Sequence, residues 1–436
     1  MLNSFIKRGQ IFFLLTFAGL IFAGTLLLLI PGVYVREVSL LDALFTSTSA
    51  VCVTGLAVLP VHDFTIAGQL LILVLIQLGG LGIMTLSVSV LLGLGQHLSM
   101  GNQFLLHSLN DDFSLQGTEE MILMIVKYSF LCETLGAAII YLGCLCNGQP
   151  PLLSLWESVF LAVSSYCNAG LSPYSDSMAS THWLSQLGSA LTILSGSLGI
   201  YVIYDLVQRY RRHRQKLRLH TQVVLCATAV MVISGTLIFL FFGVGEQQTS
   251  APLAVTALYT TIASSTAGFS TVDILELPDV GVACCMVLML IGGAPGSTAG
   301  GVKISTIFLV LAGVWCTIKG NRDVVVFKRR IPPENVMRGF TILSLFLIMA
   351  GCGCLAIKIA NGHLELDHLL FEAISAICTV GLSLGTTTAE LSSAGKLVVI
   401  ALMYIGRVGP FTLLLLLLGR TKSTALRYPD DRILLG

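Results

Sequence analysis

The apolar runs of this chain come in two lengths, and their alternation restricts the fold more than any other feature. Long runs lie near 10–30, 68–94, 120–143, 183–206, 221–243, 280–318, 337–358 and 394–418. Shorter ones, near 39–51, 154–166, 253–264 and 368–377, fall inside alternate gaps between them. A hydrocarbon core needs about 20 apolar residues of helix to cross, so the long runs can span it and the short ones cannot. Each short run ends in a Gly-containing stretch with no helical pattern. Irregular backbone at membrane depth is tolerated only where it is buried in protein or lines a cavity. The alternation therefore predicts an all-α polytopic membrane protein. Four span, re-entrant segment, span units are arranged around a central pore, with about eight transmembrane helices. Repeat boundaries fall at 1–96, 97–207, 208–320 and 321–420, followed by a tail at 421–436.

Composition agrees. The chain is 55% hydrophobic and 11% charged, where soluble domains carry about 25% charged residues. Its mean hydropathy is +0.88. A net charge of +1 gives no electrostatic reason for a nucleic-acid partner. Lys7 and Arg8 precede an uncharged run over 9–35. That run is longer than the apolar core of a signal peptide, so it reads as an uncleaved first span. The sixth long run exceeds one span and is broken at 292–301. Twelve cysteines show no metal-ligand spacing and read as small buried apolar residues in helices.

Basic residues set the orientation. They gather at Lys7 and Arg8, at Arg209, Arg211, Arg212, Arg214, Lys216 and Arg218, at Lys319, Arg322, Lys328, Arg329, Arg330 and Arg338, and at Arg420, Lys422, Arg427 and Arg432. Segments beside the short runs carry few, such as Arg36, Lys358 and Lys396. The positive-inside rule then places both termini in the cytoplasm of a multi-pass plasma (inner) membrane protein, with the short segments entering from outside. The stretch 95–120 departs from the rule, having no Lys or Arg.

Four segments align without gaps: FTSTSAVCVTGLAV from Phe45, FLAVSSYCNAGLSP from Phe160, LYTTIASSTAGFST from Leu258 and FEAISAICTVGLSL from Phe371. Their shared glycines are Gly55, Gly170, Gly268 and Gly381. A second alignment follows, with LGGLGIMT from Leu78, SGSLGIYV from Ser195, IGGAPGST from Ile291 and IGRVGPFT from Ile405. Two motifs at near-constant separation in four copies indicate duplicated units. A K⁺ ion sheds water only where oxygens replace its hydration shell, and consecutive backbone carbonyls can do this. Glycine reaches the backbone angles required at no steric cost. The filter candidates are Cys52, Val53, Thr54 and Gly55; Cys167, Asn168, Ala169 and Gly170; Ser265, Thr266, Ala267 and Gly268; and Cys378, Thr379, Val380 and Gly381. Any bound metal is K⁺ held by these backbone carbonyls. The alternative is a set of glycine turns between packed helices. Asp42, Glu157 and Glu372 sit near the starts of short helices, and Asp63, Asp176 and Asp273 follow the glycines. They read either as a cation-attracting vestibule or as ordinary helix-start and loop acids.

The four filters, GGAPGSTAGGVK (292–303), IGRVGP (405–410) and the final YPDDRILLG resemble the Trk/Ktr/HKT superfamily of K⁺ transporters over essentially the whole chain. Eight spans rather than ten make the Ktr-type membrane subunit the nearer match. The resemblance implies a homodimer, a cytosolic nucleotide-binding ring subunit that controls opening, and dependence on Na⁺ as a coupling or activating ion. The chain itself carries no cofactor, and nucleotide is expected only on the partner. In the plant branch, Ser in place of the first filter glycine goes with Na⁺ selectivity, so Gly55 favours K⁺. The resemblance also makes 292–301 an intramembrane gating loop, with Gly292, Gly293, Gly296, Ser297, Thr298, Gly300, Gly301 and Lys303 as gate residues. Arg407 joins them. It stands alone in an uncharged stretch, and the second alignment sets it opposite Gly80, Ser197 and Gly293. An intramembrane Arg needs a partner or water, and Arg407 can bar cations or anchor the loop through carbonyls. Glu133 and Lys127 read as an intra-helical or interfacial pair. The functional expectation is a gated K⁺ uptake channel or transporter and not an enzyme. A Na⁺-conducting or weakly selective relative is the near alternative. A secondary transporter of an organic solute or a polytopic membrane enzyme is more distant. Inverted repeats would favour the former, and a His and acid cluster at one face would favour the latter. The units instead run parallel, and the eight histidines are scattered with no pair at metal-ligand spacing on one helix.

Overall fold

The computed structural model of the chain describes residues 2–35, 38–82, 118–212, 216–243, 251–385 and 391–418. The sequence readings that fall on 95–117, on the 421–436 tail with its YPDDRILLG ending, and on Arg36, Arg214, Arg420, Lys422, Arg427 and Arg432 lie outside the described residues.

Helices come in groups of three. The first group is α1 (Leu2–Leu28), α2 (Leu40–Cys52) and α3 (Ile66–Leu81). The second is α4 (Thr118–Cys146), α5 (Pro151–Cys167) and α6 (Trp183–Ser197), continued by α7 (Ile200–Arg212). The third is α8 (Leu219–Ile238), α9 (Leu253–Thr266) and α10 (Asp279–Leu290), continued by α11 (Ile304–Ile318). The fourth is α12 (Pro333–Ala360), α13 (Leu366–Ile377) and α14 (Ser393–Val408), continued by α15 (Pro410–Leu418). Within each group the three helices pack on one another. Between groups the contacts run in a circle: α3 on α5, α6 on α9, α10 on α13, and α14 on α2.

The short helices form the core of this circle. Phe45, Phe160 and Phe371, at aligned positions, are fully buried, as is Tyr259 beside the fourth. Their ends are set by local chemistry. Ser39 caps α2 by accepting the Asp42 N–H at 3.1 Å, and prolines open α5 and α12 at positions where a missing N–H costs nothing. The long helices form a shell that leaves apolar surface outward, including Leu135, Leu142, Ile233, Ile348 and Leu355. An apolar face this extensive needs lipid around it.

The structure differs from the sequence reading in the continuity of its spans. Among the described residues three helices are long and apolar enough to cross a membrane, Leu123–Cys146, Leu219–Phe242 and Pro333–Ala360. A fourth span arises if α6 and α7, bent by 90°, are counted together. The expectation interrupts only the sixth span, whereas the spans that begin with α6 and α14 are interrupted as well, and α3 stops at Leu81. The cause is the last glycine of the LGGLG-type motif. Gly82, Gly199 and Gly409 stand at aligned positions and hold positive φ, at 79°, 78° and 91°, which no right-handed helix continues through; the third copy has Pro295 there, and α10 has already ended at Leu290. A short hairpin of β1 (Val324–Val326) and β2 (Arg329–Ile331) follows α11. Its outer face exposes Val325 and Arg330, while Val326 and Ile331 pack against Val223 and Val336.

Candidate ion pathway

The four short helices end alike, with one exception. In α2, α5 and α13 a left-handed residue follows the last turn: Val53 at φ 56°, Asn168 at 59° and Thr379 at 49°. Asn tolerates this region, whereas β-branched Val and Thr occupy it only under constraint. The main-chain N–H groups of the loops turn back onto their own helices. Thr54 donates to Ser49 O at 2.9 Å, Ala169 to Ser164 O at 2.8 Å, and Val380 to Ser375 O at 2.9 Å. The Ser49 and Ser375 hydroxyls then accept the Gly55 and Gly381 N–H groups at 3.1 and 3.0 Å. Ile262 stands at the aligned position of α9 and offers no hydroxyl. There the helix runs one residue further, to Thr266, and Ala267 stays right-handed at φ −111°.

Of the candidate tetrads, Cys52 and Cys167 are the last residues of their helices, Ser265 and Thr266 are both helical, and Cys378 is a right-handed cap. The non-helical loops begin after them. All four glycines carry positive φ: Gly55 at 93°, Gly170 at 71°, Gly268 at 70° and Gly381 at 103°.

The glycines also report how the loops meet. A Cβ on Gly55 would strike Ala169 O, one on Gly170 would strike Ala267 O, one on Gly268 would strike Val380 O, and one on Gly381 would strike Thr54 O. Each carbonyl belongs to the residue just before the neighbouring glycine. Four oxygens from four segments, Thr54, Ala169, Ala267 and Val380, therefore lie in one closed ring. With the N–H groups turned back to the helices, these carbonyls are left for what passes through the middle.

On one side of the ring lies a cavity of about 500 Å³, lined by all four glycines and by the loops that follow them. Asp176 and Asp273 line it; Asp63 does not, and its carboxylate accepts from Tyr34 at 3.2 Å. Asp42 lies in the first turn of α2 and pairs with Lys396 at 2.7 Å. Glu157 and Glu372 sit well inside their helices instead of at the start. Glu157 accepts from Tyr174 at 2.7 Å.

The segment 292–301 lies against the other side of the ring. Ile291–Gly292 and Val302–Lys303 run parallel, so the chain leaves and returns at one place. Thr298 reaches the loop after α5: its hydroxyl donates to Tyr166 O at 2.8 Å and accepts from Asn168 Nδ2 at 2.7 Å. Ala294 N–H donates to Ser197 O at 2.8 Å, and Ile200 N–H to Gly296 O at 3.2 Å. Gly300 packs on Thr379 and the Cys378 carbonyl of the fourth loop so closely that a side chain has no room. Lys303 Nζ donates to Ala299 O at 2.6 Å, fastening the segment to itself. Gly292, Gly293 and Gly301 make its narrow neck, where added side chains would strike backbone. A second cavity of about 220 Å³ opens beside Gly296, Ser297 and Thr298. The two cavities share no lining residue.

Arg407 closes the arrangement. Its Nη1 donates to Thr298 O at 2.7 Å, and its Nη2 to Gly79 O at 2.6 Å and Gly80 O at 3.3 Å. The guanidinium thus ties the 292–301 segment to the end of α3, and its ligands are carbonyls. The Glu133 and Lys127 pair does not form: Glu133 accepts from Gln77 Nε2 at 2.9 Å, and Lys127 faces outward. Six residues on a helix leave two side chains about 120° apart, which the sequence spacing already implies. Sequence reasoning named Asn168 and Thr266 for their backbone carbonyls and missed their side-chain contact with each other and with Ser197. It also missed Gly82, Gly199 and Gly409 as helix breaks, and their recurrence in three of the four copies was the available signal.

Comparison with known proteins places this geometry. Residues 16–424 match the family TrkH, described as cation transport protein. The chain is 33% identical over 434 residues to Ktr system potassium uptake protein B of Vibrio alginolyticus, covering 97% of this chain and 94% of that one. It is 32% identical to potassium/sodium uptake protein NtpJ of Enterococcus hirae, over 91% and 90% of the two chains. The crystal structure of the potassium transporter TrkH from Vibrio parahaemolyticus superposes with a TM-score of 0.73, covering 94% of this chain and 85% of that one at 20% identity. That likeness speaks for the fold. Fold, apolar shell and sequence matches agree that this chain is a membrane protein of the TrkH cation transport family.

Proposed function

We propose that the chain is the membrane subunit of a gated K⁺ uptake system. Four pseudo-symmetric units surround one pore; the carbonyl ring is its selectivity filter, and the 292–301 segment is its gate. The observation that carries this reading is the closed ring of Thr54, Ala169, Ala267 and Val380 oxygens, each lying against the next loop's glycine. Such a ring offers a dehydrated cation four oxygens in one layer. The short helices end at the ring, so their negative dipole ends face the ion. The contacts of 292–301 with the second and fourth loops, through Thr298 and Gly300, support reading it as the gate.

The rest of the reading is coarser in its support. The basic stretches put both termini in the cytoplasm of the inner membrane, with the four short helices re-entering from outside. Resemblance to Ktr systems supports a homodimer, a cytosolic nucleotide-binding ring subunit and Na⁺ dependence. No nucleotide is assigned to this chain. The exposed Lys328, Arg329 and Arg330 of the hairpin are candidates for the docking face.

A Na⁺-conducting or weakly selective pore is the second reading, because one relative is named for both ions. The test is uptake of radioactive rubidium, K⁺ and Na⁺ in a K⁺-transport-deficient bacterium, with and without the cytosolic subunit. Preference for K⁺ over Na⁺ that the Gly55→Ser change weakens supports the first reading. Equal uptake of both ions supports the second, and no cation uptake under any condition overturns both.

A further inference from the structure

We infer that the Asn168 side chain is the strut through which the position of the 292–301 segment sets the shape of the second filter loop, so that gating and K⁺ preference form one coupled property. The inference rests on the filter-and-gate reading above and goes beyond it in naming the physical connection.

Asn168 is 1% exposed and sits in the left-handed turn of its loop, at φ 59° and ψ 40°. Its amide uses both ends. Nδ2 donates to Thr298 Oγ1 at 2.7 Å and lies 3.3 Å from Tyr166 O. Oδ1 accepts from Thr266 Oγ1 at 2.9 Å and lies 3.1 Å from Ser197 Oγ. The amide thus joins the second loop to the end of α9, the end of α6 and the gate. Thr298 is the node on the other side. Its hydroxyl takes the Asn168 proton and passes its own to Tyr166 O, while its carbonyl is held by Arg407. One residue of the gate is therefore gripped by its main chain from the fourth unit and by its side chain from the filter.

Among the described residues no other filter loop bonds the 292–301 segment through the matching side chain. Val53 is apolar, Thr266 gives its hydroxyl to Asn168, and the close contact of Gly300 on Thr379 is packing without a hydrogen bond. When 292–301 moves, Asn168 Nδ2 loses Thr298 and keeps only the longer contact to Tyr166 O. Losing the shorter hydrogen bond of a buried amide is costly, so the amide turns toward a new partner. It cannot turn without disturbing its hold on Thr266, the residue that precedes Ala267 and its ring oxygen. Gate position is thereby transmitted to two of the four ring carbonyls, Ala169 and Ala267.

The test compares half-saturating K⁺ concentration and the K⁺/Na⁺ uptake ratio among variants at matched membrane expression. Thr298→Val deletes the hydroxyl and alters no residue that supplies a ring carbonyl. It should shift the ratio about fivefold, the weight of one net buried hydrogen bond. Thr298→Ser keeps the hydroxyl and should restore the wild-type ratio. Asn168→Val installs the side chain the first loop already carries at this position. It should give the same shift, with no further change when combined with Thr298→Val. Should Asn168→Val not accumulate in the membrane, the Thr298 pair decides alone. A change in maximal rate only, with the ratio unchanged in Thr298→Val, overturns the coupling. Gly55→Ser separates the two levels. If it shifts the ratio while Thr298→Val does not, the strut fails and the filter stands. If Gly55→Ser also leaves the ratio unchanged, the filter reading itself falls.

Discussion

The end of α6 and the end of α10 are built from aligned sequence, SGSLG and IGGAPG, yet they do different things. At α6 the chain turns at Gly199 and resumes as α7 after a 90° bend. At α10 it departs at Ile291 and returns only at Val302, enclosing the 292–301 segment. The first glycine of each motif explains the divergence. Gly196 lies against Tyr166 O, the carbonyl just before its own filter, and Gly79 and Gly406 lie likewise against Val51 O and Ile377 O. Gly292 lies instead against Gly300 O, within its own segment. Three breaks are therefore clamped to the filter, and the fourth is clamped to itself. A part that must move between two states can be held by contacts of only a few kcal/mol, and among the described residues the third group offers such a part.

The largest effect is expected where all four groups agree. Gly381→Ala puts a methyl into the Thr54 carbonyl at φ 103°. Left-handed backbone costs an L-residue about 1–2 kcal/mol before any clash is counted. The half-saturating K⁺ concentration should rise about tenfold or more, read by uptake kinetics. Wild-type kinetics would remove the ring from the pathway.

The clamps give a sharper contrast. Gly79→Ala, Gly196→Ala and Gly406→Ala should lower the thermal stability of the detergent-solubilised protein, because a methyl must displace a filter-helix carbonyl. Gly292→Ala should leave that melting temperature closer to wild type and change uptake rate instead. Equal melting losses at all four positions would dissolve the distinction between clamped breaks and a free one.

A smaller effect is expected at the loop serines. Ser49→Ala and Ser375→Ala each leave a glycine N–H without its hydroxyl, a loss of about 1 kcal/mol. K⁺ affinity should fall several-fold in both. The smallest effect is at the hairpin, where reversing Lys328 and Arg329 should weaken co-purification with the cytosolic subunit at physiological salt and leave K⁺/Na⁺ preference untouched. Undiminished co-purification would leave those residues the topological role alone.

Much of this was legible in the residues. The four short helices fall within three residues of the apolar runs at 39–51, 154–166, 253–264 and 368–377, because a segment that ends in Gly and is too short to cross has few other fates. The glycines of the carbonyl ring were readable by recurrence. The breaks after α6 and α14 were not, because Gly in an apolar helix reads equally well as a packing residue. Nothing local marks whether Cys52, Cys167 or Thr266 still belongs to the helix. The Asn168 and Thr298 contact joins residues 130 apart in sequence, and no local pattern carries such a contact. Arg407 was visible as a lone charge, but its choice of the Thr298 and Gly79 carbonyls needed the folded chain.

The account stands or falls on whether the self-clamped break closes the pore. The direct measurement is the cation uptake rate of a chain with 294–299 excised, of Arg407→Gln, and of the two combined, at matched membrane expression and without the cytosolic subunit. Excision removes Thr298 and the body of the segment, and Arg407→Gln loosens the guanidinium contact to its carbonyl. Uptake should rise in both, and the combination should rise no further than the excision, because both act on one closed state. Uptake that falls in both, with the protein folded and inserted, would contradict the account and make 292–301 a support for the filter.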